Sequence, residues 1–89
     1  MLNKYLVEFL GSIFFIYVVL ATGNALAIGA ALALVVLLTK NISGGHINPA
    51  ITITMAAAGQ ITNVEIIPYC IAQILGGLVA LELYKRVQL

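Results

Sequence analysis

Residues 43–52 read SGGHINPAIT, and this stretch interrupts an otherwise apolar sequence with two glycines, a histidine, an asparagine and a proline. Asn48 is a typical helix N-cap, and Pro49 suits the first helical position because the N–H that proline lacks has no partner there. The pattern predicts a helix that begins at Pro49 and ends near Gly59. At 1.5 Å per residue, a helix of about ten residues is ~15 Å long, half the ~30 Å hydrocarbon core of a bilayer.

A half-length apolar helix with an irregular lead-in indicates a re-entrant segment of a membrane protein. Irregular backbone at membrane depth is tolerated where it is buried in protein or lines a watery cavity. We therefore expect this segment, residues 42–59, to enter the membrane partway. The N-terminal end of its helix, which is the positive end of the helix dipole, would then lie near the middle of the membrane.

The composition indicates an all-α integral membrane protein. The 89 residues are 63% hydrophobic and 8% charged, with a mean hydropathy of +1.15, whereas soluble domains carry roughly 25% charged residues. Each membrane span needs about 20 residues, so the chain holds three spans and one half-helix in a single multi-pass domain. A net charge of +1 without a basic stripe gives no sign of nucleic-acid binding. With one cysteine and one histidine, no metal site or cofactor is expected.

Turn and capping residues in the sequence predict the bounds of the helices. The turn residues Thr22–Asn24 separate two apolar runs, and Thr62 and Glu65 have the spacing of a capping box that opens the last helix. Tyr69 and Tyr84 are interpreted as anchors at the membrane interface. Within one domain, 1–89, the predicted elements are helix 1 at about 3–21, helix 2 at about 25–40, the re-entrant loop and half-helix at about 42–59, and helix 3 at about 63–84.

The same residues resemble a known signature. Ser43–Thr52 is similar to the first Asn-Pro-Ala loop of the aquaporin family (major intrinsic proteins). Glu8–Ser12 resembles the first-helix motif of that family, and Ala72–Gly77 resembles its third-helix motif. The three motifs stand in the family's order and cover almost the whole chain. The resemblance implies an aquaporin-like half-repeat of three transmembrane helices plus one re-entrant half-helix.

The function that the resemblance implies is passive passage of water and small neutral solutes such as glycerol through a lipid bilayer. The Asn48 side-chain amide would donate to a passing oxygen, and backbone carbonyls of the loop would accept. The sequence offers neither a nucleophile–base pair nor a carboxylate pair, so an enzyme is not expected. The implied pore residues are Gly44, Gly45, His46, Asn48, Pro49 and Ala50, and Ile28 stands where many water channels carry an aromatic constriction residue.

Three polar side chains each have two interpretations. Glu8 is expected to brace the re-entrant loop, as the matching family glutamate does, and the alternative is a carboxylate that snorkels to the membrane edge. Gln73 either supports the loop or makes a lone hydrogen bond between helices. His46 either orients the loop through a hydrogen bond, the interpretation we favour, or senses pH.

The chain departs from the family pattern in one major respect. Family members have two inverted halves, and the second carries an arginine after its own Asn-Pro-Ala box, whereas here a single box is followed by Ile51. We expect two copies in opposite orientations to restore the inverted repeat, because Lys4 and Lys40 on one side balance Lys85 and Arg86 on the other. One alternative is a separate second half. Another is a truncated or non-conducting half that acts as a structural or partner-dependent membrane subunit.

Overall fold

The computed structural model describes residues 3–87, and within that range the chain is helical without β-strands. The all-α class expected from the sequence is therefore confirmed for these residues. The helices are α1 Lys4–Thr22, α2 Ala25–Thr39, α3 Pro49–Ala57 and α4 Ile66–Arg86, and a 3₁₀ turn covers Asn63–Glu65. Residues 1, 2, 88 and 89 lie outside the described range, and so do the outer bounds of the expected 1–89 domain.

Side-chain and glycine caps determine where α1 ends and α2 begins. Gly23 follows α1 with a φ of 53°, a left-handed conformation that glycine adopts without steric cost, and its N–H donates to the Val19 carbonyl. Asn24 comes next, and its Oδ1 accepts from the Ala27 N–H at 3.0 Å, which caps α2. The two residues therefore reverse the chain into an antiparallel helix pair.

α4 begins differently from the predicted helix 3. The sequence suggested one helix from residue 63, whereas the structure has a 3₁₀ turn before α4 starts at Ile66. The Glu65 carboxylate accepts from the Thr62 N–H at 3.1 Å and from the Thr62 hydroxyl at 2.9 Å, so the predicted pairing of these residues occurs within the tighter turn. Glu65 also forms an ion pair with Lys4, which joins the starts of α4 and α1.

α1 packs most extensively against α4, α2 packs against α1, and α3 packs against α4. α1 and α4 run parallel, because Lys4 pairs with Glu65 at their starts and Tyr17 contacts Tyr84 towards their ends. Small residues allow the close approach of α1 and α4. A Cβ atom at Gly76 would lie 2.7 Å from the Phe9 carbonyl oxygen and 2.8 Å from Ser12 Cβ. The backbones therefore meet at a point where only glycine fits.

Most of the large apolar side chains point outward. Buried apolar residues are few and mostly small, whereas Leu26, Leu37, Leu38 and Ile67 are largely exposed. α1 and the segment Asn63–Arg86 are long and apolar enough to cross a membrane, and α2 is a shorter apolar helix of 15 residues. An apolar exterior of this kind is suited to a hydrocarbon environment rather than to water.

Candidate functional site

The loop between α2 and α3 has an unusual backbone. Gly44, Gly45 and Ile47 have φ values of 91°, 64° and 59°. Glycine tolerates this region, but a β-branched residue there is a conformational outlier that surrounding contacts must stabilise. Ile47 is buried, and its Cδ1 lies only 2.9 Å from where a Cβ atom of Gly11 would be. The absence of a side chain at Gly11 thus leaves the space that Ile47 occupies.

Glu8 is the main polar contact of the loop. It is fully buried, and four donors reach its two carboxylate oxygens. Oε2 accepts from the Ser43 hydroxyl at 2.6 Å and from the His46 N–H at 3.1 Å. Oε1 accepts from the Ile47 N–H at 2.8 Å and from Gln73 Nε2 at 2.8 Å. The carboxylate therefore points into the protein, where it binds the loop backbone and α4.

The loop leads into the N-terminus of α3. Asn48 has extended backbone, and its Oδ1 accepts from the Ala50 N–H at 2.8 Å, with Pro49 in the first helical position. The observed half-helix is nine residues long and ends at Ala57, just before Gly59 with its φ of 79°. Asn48 and Ala50 are exposed and Pro49 is half-buried. The cap uses Oδ1, so the amide nitrogen of Asn48 remains available to a ligand.

Behind the loop, Gln73 and Thr52 continue the hydrogen-bonded network from Glu8. Besides its bond to Glu8, Gln73 Nε2 lies 2.9 Å from Thr52 Oγ1, and Thr52 Oγ1 lies 2.9 Å from His46 Nδ1. All three of Gln73, Thr52 and His46 are buried. Gln73 therefore contacts α1 and α3 together, which is more than a lone bond between two helices, and the His46 side chain ties the loop to α3.

Tyr69 is buried in this network, whereas the sequence interpretation as an interface anchor implies a side chain that faces lipid. Its side chain is only 2% exposed, its hydroxyl donates to the Ser43 carbonyl at 2.7 Å, and its ring stacks on His46 with centroids 4.7 Å apart. The spacing of residues in the sequence could have indicated that Tyr69 faces the protein interior. Tyr69, Gln73, Gly76 and Ala80 follow a helical spacing that places them on one face of α4.

Thr52 and Ser43 are the other site residues that the sequence did not single out. Thr52 is fully buried. A threonine in an apolar helix commonly bonds only to its own helix, so nothing in the sequence indicated that Thr52 bonds to other elements. The Ser43 hydroxyl bonds to Glu8 and the Ser43 carbonyl to Tyr69, so this residue connects the loop to α1 and to α4. Both residues lie inside the quoted stretch, but Thr52 also bonds to Gln73 on α4, and Ser43 bonds to Glu8 on α1 and Tyr69 on α4, which are all distant in sequence.

An open cavity of about 690 Å³ lies beside the loop. Its lining includes His46, Gly44, Ser43 and Tyr69, together with the Lys4–Glu65 ion pair. The loop thus presents a polar wall to a space large enough for several water molecules.

Ile28 is separated from these residues. It lies in the first turn of α2, half-buried, eleven residues before Thr39, where α2 meets the loop. That separation corresponds to ~16 Å along the helix axis. Ile28 is not among the residues that line the cavity beside the loop.

The side chains and the backbone at this site offer hydrogen-bond donors and acceptors. Residues 3–87 contain no group of three or more histidine, cysteine or acidic residues placed to hold a metal ion. The polar groups that can meet a small ligand are the amide of Asn48, the imidazole of His46 and the loop backbone. These groups recognise neutral molecules that both donate and accept hydrogen bonds.

Comparisons with known proteins agree on one family. The family model described as Major intrinsic protein matches residues 1–89. Glycerol uptake facilitator protein-like 6 of Lactiplantibacillus plantarum is 42% identical over 88 residues, which cover 89% of this chain and 41% of that protein. Aquaporin-8 of Notomys alexis is 41% identical over 92 residues, covering 91% of this chain and 35% of that protein.

A plant relative shows the same partial coverage. Aquaporin TIP2-1 of Arabidopsis thaliana is 37% identical over 107 residues, covering 97% of this chain and 42% of that protein. The chain therefore spans less than half the length of the curated relatives that it matches.

Proposed function

Because the chain belongs to the major intrinsic protein family, we propose that it supplies one half of a passive, non-enzymatic membrane channel for water and small neutral solutes such as glycerol. The observation that carries this proposal is the position of Asn48. Glu8 accepts from two consecutive loop N–H groups, and the next residue, Asn48, is exposed at the N-terminus of a half-length helix. This arrangement is suited to holding a donor amide at a fixed depth in the membrane.

In this proposal the half consists of three transmembrane helices and the re-entrant segment. α1 and Asn63–Arg86 cross the membrane directly. α2 has 15 residues and is ~22 Å long, so it crosses with its flanking residues at the interfaces and Lys40 extended towards the headgroups. α3 reaches only partway, and its N-terminus lies near the midplane.

The polar groups select for neutral molecules. The Asn48 amide nitrogen donates to the oxygen of a passing solute, and carbonyls of Gly44, Gly45 and His46 accept from it. Pro49 and Ala50 begin the half-helix whose positive dipole end raises the energy of cations near the midplane. Ile28 lies further along the path and makes that part wider and more apolar than an aromatic residue would.

A second half is needed because three spans and one half-helix do not enclose a pore. We propose that two copies of this chain, inserted in opposite orientations, face each other across the N-termini of their α3 helices. The near balance of Lys4 and Lys40 against Lys85 and Arg86 permits either orientation. A separate chain or segment that carries the second half would serve the same purpose.

Stopped-flow osmotic shrinkage of liposomes that contain this chain tests the proposal. The wild-type chain is expected to shrink liposomes faster than the lipid alone does. Asn48→Asp keeps a capping oxygen but replaces the donor amide by a negative charge, so water flux should fall towards the lipid rate. Asn41→Asp makes the same change at an exposed position before the loop and should leave the flux near wild type.

The second candidate function is a non-conducting, partner-dependent membrane subunit. In this alternative the chain keeps the half-repeat fold and pairs with another membrane protein without forming a pore by itself. Flux equal to that of empty liposomes in a helical, monodisperse preparation would support this candidate and contradict conduction by the chain alone. Glycerol flux, measured separately, would show whether the channel admits solutes larger than water.

A further inference from the structure

The protons of the buried network around His46 can be counted donor by donor. Gln73 must direct its nitrogen towards Glu8, because the opposite orientation would place an amide oxygen against a carboxylate oxygen at 2.8 Å. That nitrogen carries two hydrogens, and its second neighbour is Thr52 Oγ1 at 2.9 Å. Thr52 Oγ1 therefore accepts a hydrogen bond from Gln73.

The hydroxyl hydrogen of Thr52 then needs an acceptor of its own. Within residues 3–87 that acceptor is His46 Nδ1, at 2.9 Å from Thr52 Oγ1. Threonines in helices often donate instead to the carbonyl four residues earlier, and Thr54 does so, with its hydroxyl 2.8 Å from the Ala50 carbonyl. Thr52 makes no such bond in the described structure. A hydrogen on Nδ1 would therefore leave the fully buried Thr52 hydroxyl without an acceptor.

From this count we propose that the Glu8–Gln73–Thr52 network holds neutral His46 in the tautomer with the hydrogen on Nε2, so that His46 presents a hydrogen-bond donor to the cavity beside the loop. His46 lines that cavity, and a Cβ atom at Gly44 would lie 3.0 Å from Nε2, so glycine keeps the space in front of this nitrogen open. Within residues 3–87 no protein atom accepts from Nε2.

The ligand of this donor is the acceptor oxygen of a small neutral molecule, either water or a hydroxyl compound. This assignment of the ligand rests on the proposed channel function, whereas the tautomer rests on the hydrogen-bond network alone. Stacking of the imidazole on Tyr69 holds the ring plane, so the donor has a fixed direction. His46 is therefore a specificity-determining residue through its ring nitrogen, in addition to its backbone carbonyl.

Nitrogen-15 solid-state NMR on the chain in lipid bilayers tests the tautomer directly. The sequence contains one histidine, so selective labelling gives the spectrum of His46 alone. At a pH where the imidazole is neutral, we expect Nδ1 to be unprotonated and Nε2 to be protonated, with polarisation transfer from water protons to Nε2. A dominant Nδ1–H form, an even mixture of tautomers, or an absence of transfer from water would overturn the proposal.

Two threonine variants test the role of the network. Thr52→Val removes the hydroxyl and should turn the single tautomer into a mixture, whereas Thr52→Ser should preserve it. Thr54→Val makes the same change two residues later, where the hydroxyl bonds only within α3, and should leave the His46 spectrum unchanged. An unchanged spectrum in Thr52→Val would contradict control by Thr52.

The wild-type spectrum decides the tautomer even if a variant fails to fold. The outcome is also independent of conduction, because a chain that gives no osmotic flux still reports which nitrogen carries the hydrogen. Failure of the channel proposal and failure of this proposal are thus distinguishable.

Discussion

At the scale of single residues, Glu8 shows how a carboxylate can be buried without a cationic partner. Three donors from the loop and one from α4 satisfy its two oxygens, and the side chain has no exposed surface. A carboxylate only accepts hydrogen bonds, and all four polar neighbours of the Glu8 oxygens are donors, so a side chain with a donor of its own would not fit here. Two of the four bonds hold backbone N–H groups, those of His46 and of Ile47, whose φ is 59°.

Glu8→Gln is expected to disrupt this network strongly. The amide group would place a nitrogen donor against donors of the loop or of Gln73, and each buried group left unsatisfied costs about 1–3 kcal/mol. The unfolding temperature in detergent should fall well below that of the wild type. Glu82→Gln is the matched control, because Glu82 is exposed on α4 and its ion pairs with Lys85 and Arg86 are worth about 0–1 kcal/mol. Equal shifts in the two variants would contradict the role given to Glu8.

Residues whose partners lie near in sequence, or that belong to a familiar motif, were predictable, and the others were not. Asn48 was expected as a cap because its acceptor role is local, and the structure places it there. Thr52 and Tyr69 were not identified as parts of the site because their roles depend on Gln73, His46 and Ser43, which meet them only after the helices pack. A buried tyrosine and an interfacial tyrosine have the same local sequence signal.

At the scale of helices, the contact between α1 and α4 depends on one glycine. A Cβ atom at Gly76 would meet the Phe9 carbonyl oxygen at 2.7 Å, whereas a Cβ atom at the neighbouring Gly77 would meet nothing closer than Ile16 Cγ1 at 3.8 Å. A side chain at Gly76 therefore requires the two backbones to separate. Glu8 on α1 and Gln73 on α4 would then separate as well.

Gly76→Ala is expected to destabilise the fold by about 1–3 kcal/mol, the usual range for overpacking. Gly77→Ala, one residue later on the same helix, should be neutral or stabilising by up to about 1 kcal/mol, because alanine is the better helix former. Thermal unfolding of both variants in the same detergent gives the comparison. A Gly76→Ala variant as stable as Gly77→Ala would contradict the close approach of α1 and α4 at Gly76.

The helices themselves were largely predictable from the sequence, since Gly23, Asn24, Pro49 and Gly59 mark element ends through local backbone chemistry. The 3₁₀ turn at Asn63–Glu65 was missed because a capping-box pattern does not distinguish a 3₁₀ turn from an α-helix. The parallel packing of α1 on α4 comes from pairs far apart in the chain, such as Lys4 with Glu65 and Tyr17 with Tyr84, and no local pattern encodes it.

At the scale of the whole molecule, the proposed pore requires two halves. The exposed leucines of α2 and the exposed end of α3 belong to surfaces that lipid or a second half can cover. The motifs in the sequence indicate that this chain resembles the first half-repeat of the family. The sequence does not specify the partner, because in the proposed assembly the opposing surface would belong to another half-repeat.

The most direct test of the central claim is the water permeability of single vesicles as a function of the number of copies that they contain. The chain would carry a fluorescent protein at its C-terminus to count copies, and a trapped dye would report vesicle volume during an osmotic step. The proposed assembly predicts that vesicles with one copy shrink at the lipid rate and that faster shrinkage first appears in vesicles with two copies. Fast shrinkage with a single copy, or shrinkage at the lipid rate with many copies, would contradict a pore formed by two copies of this chain.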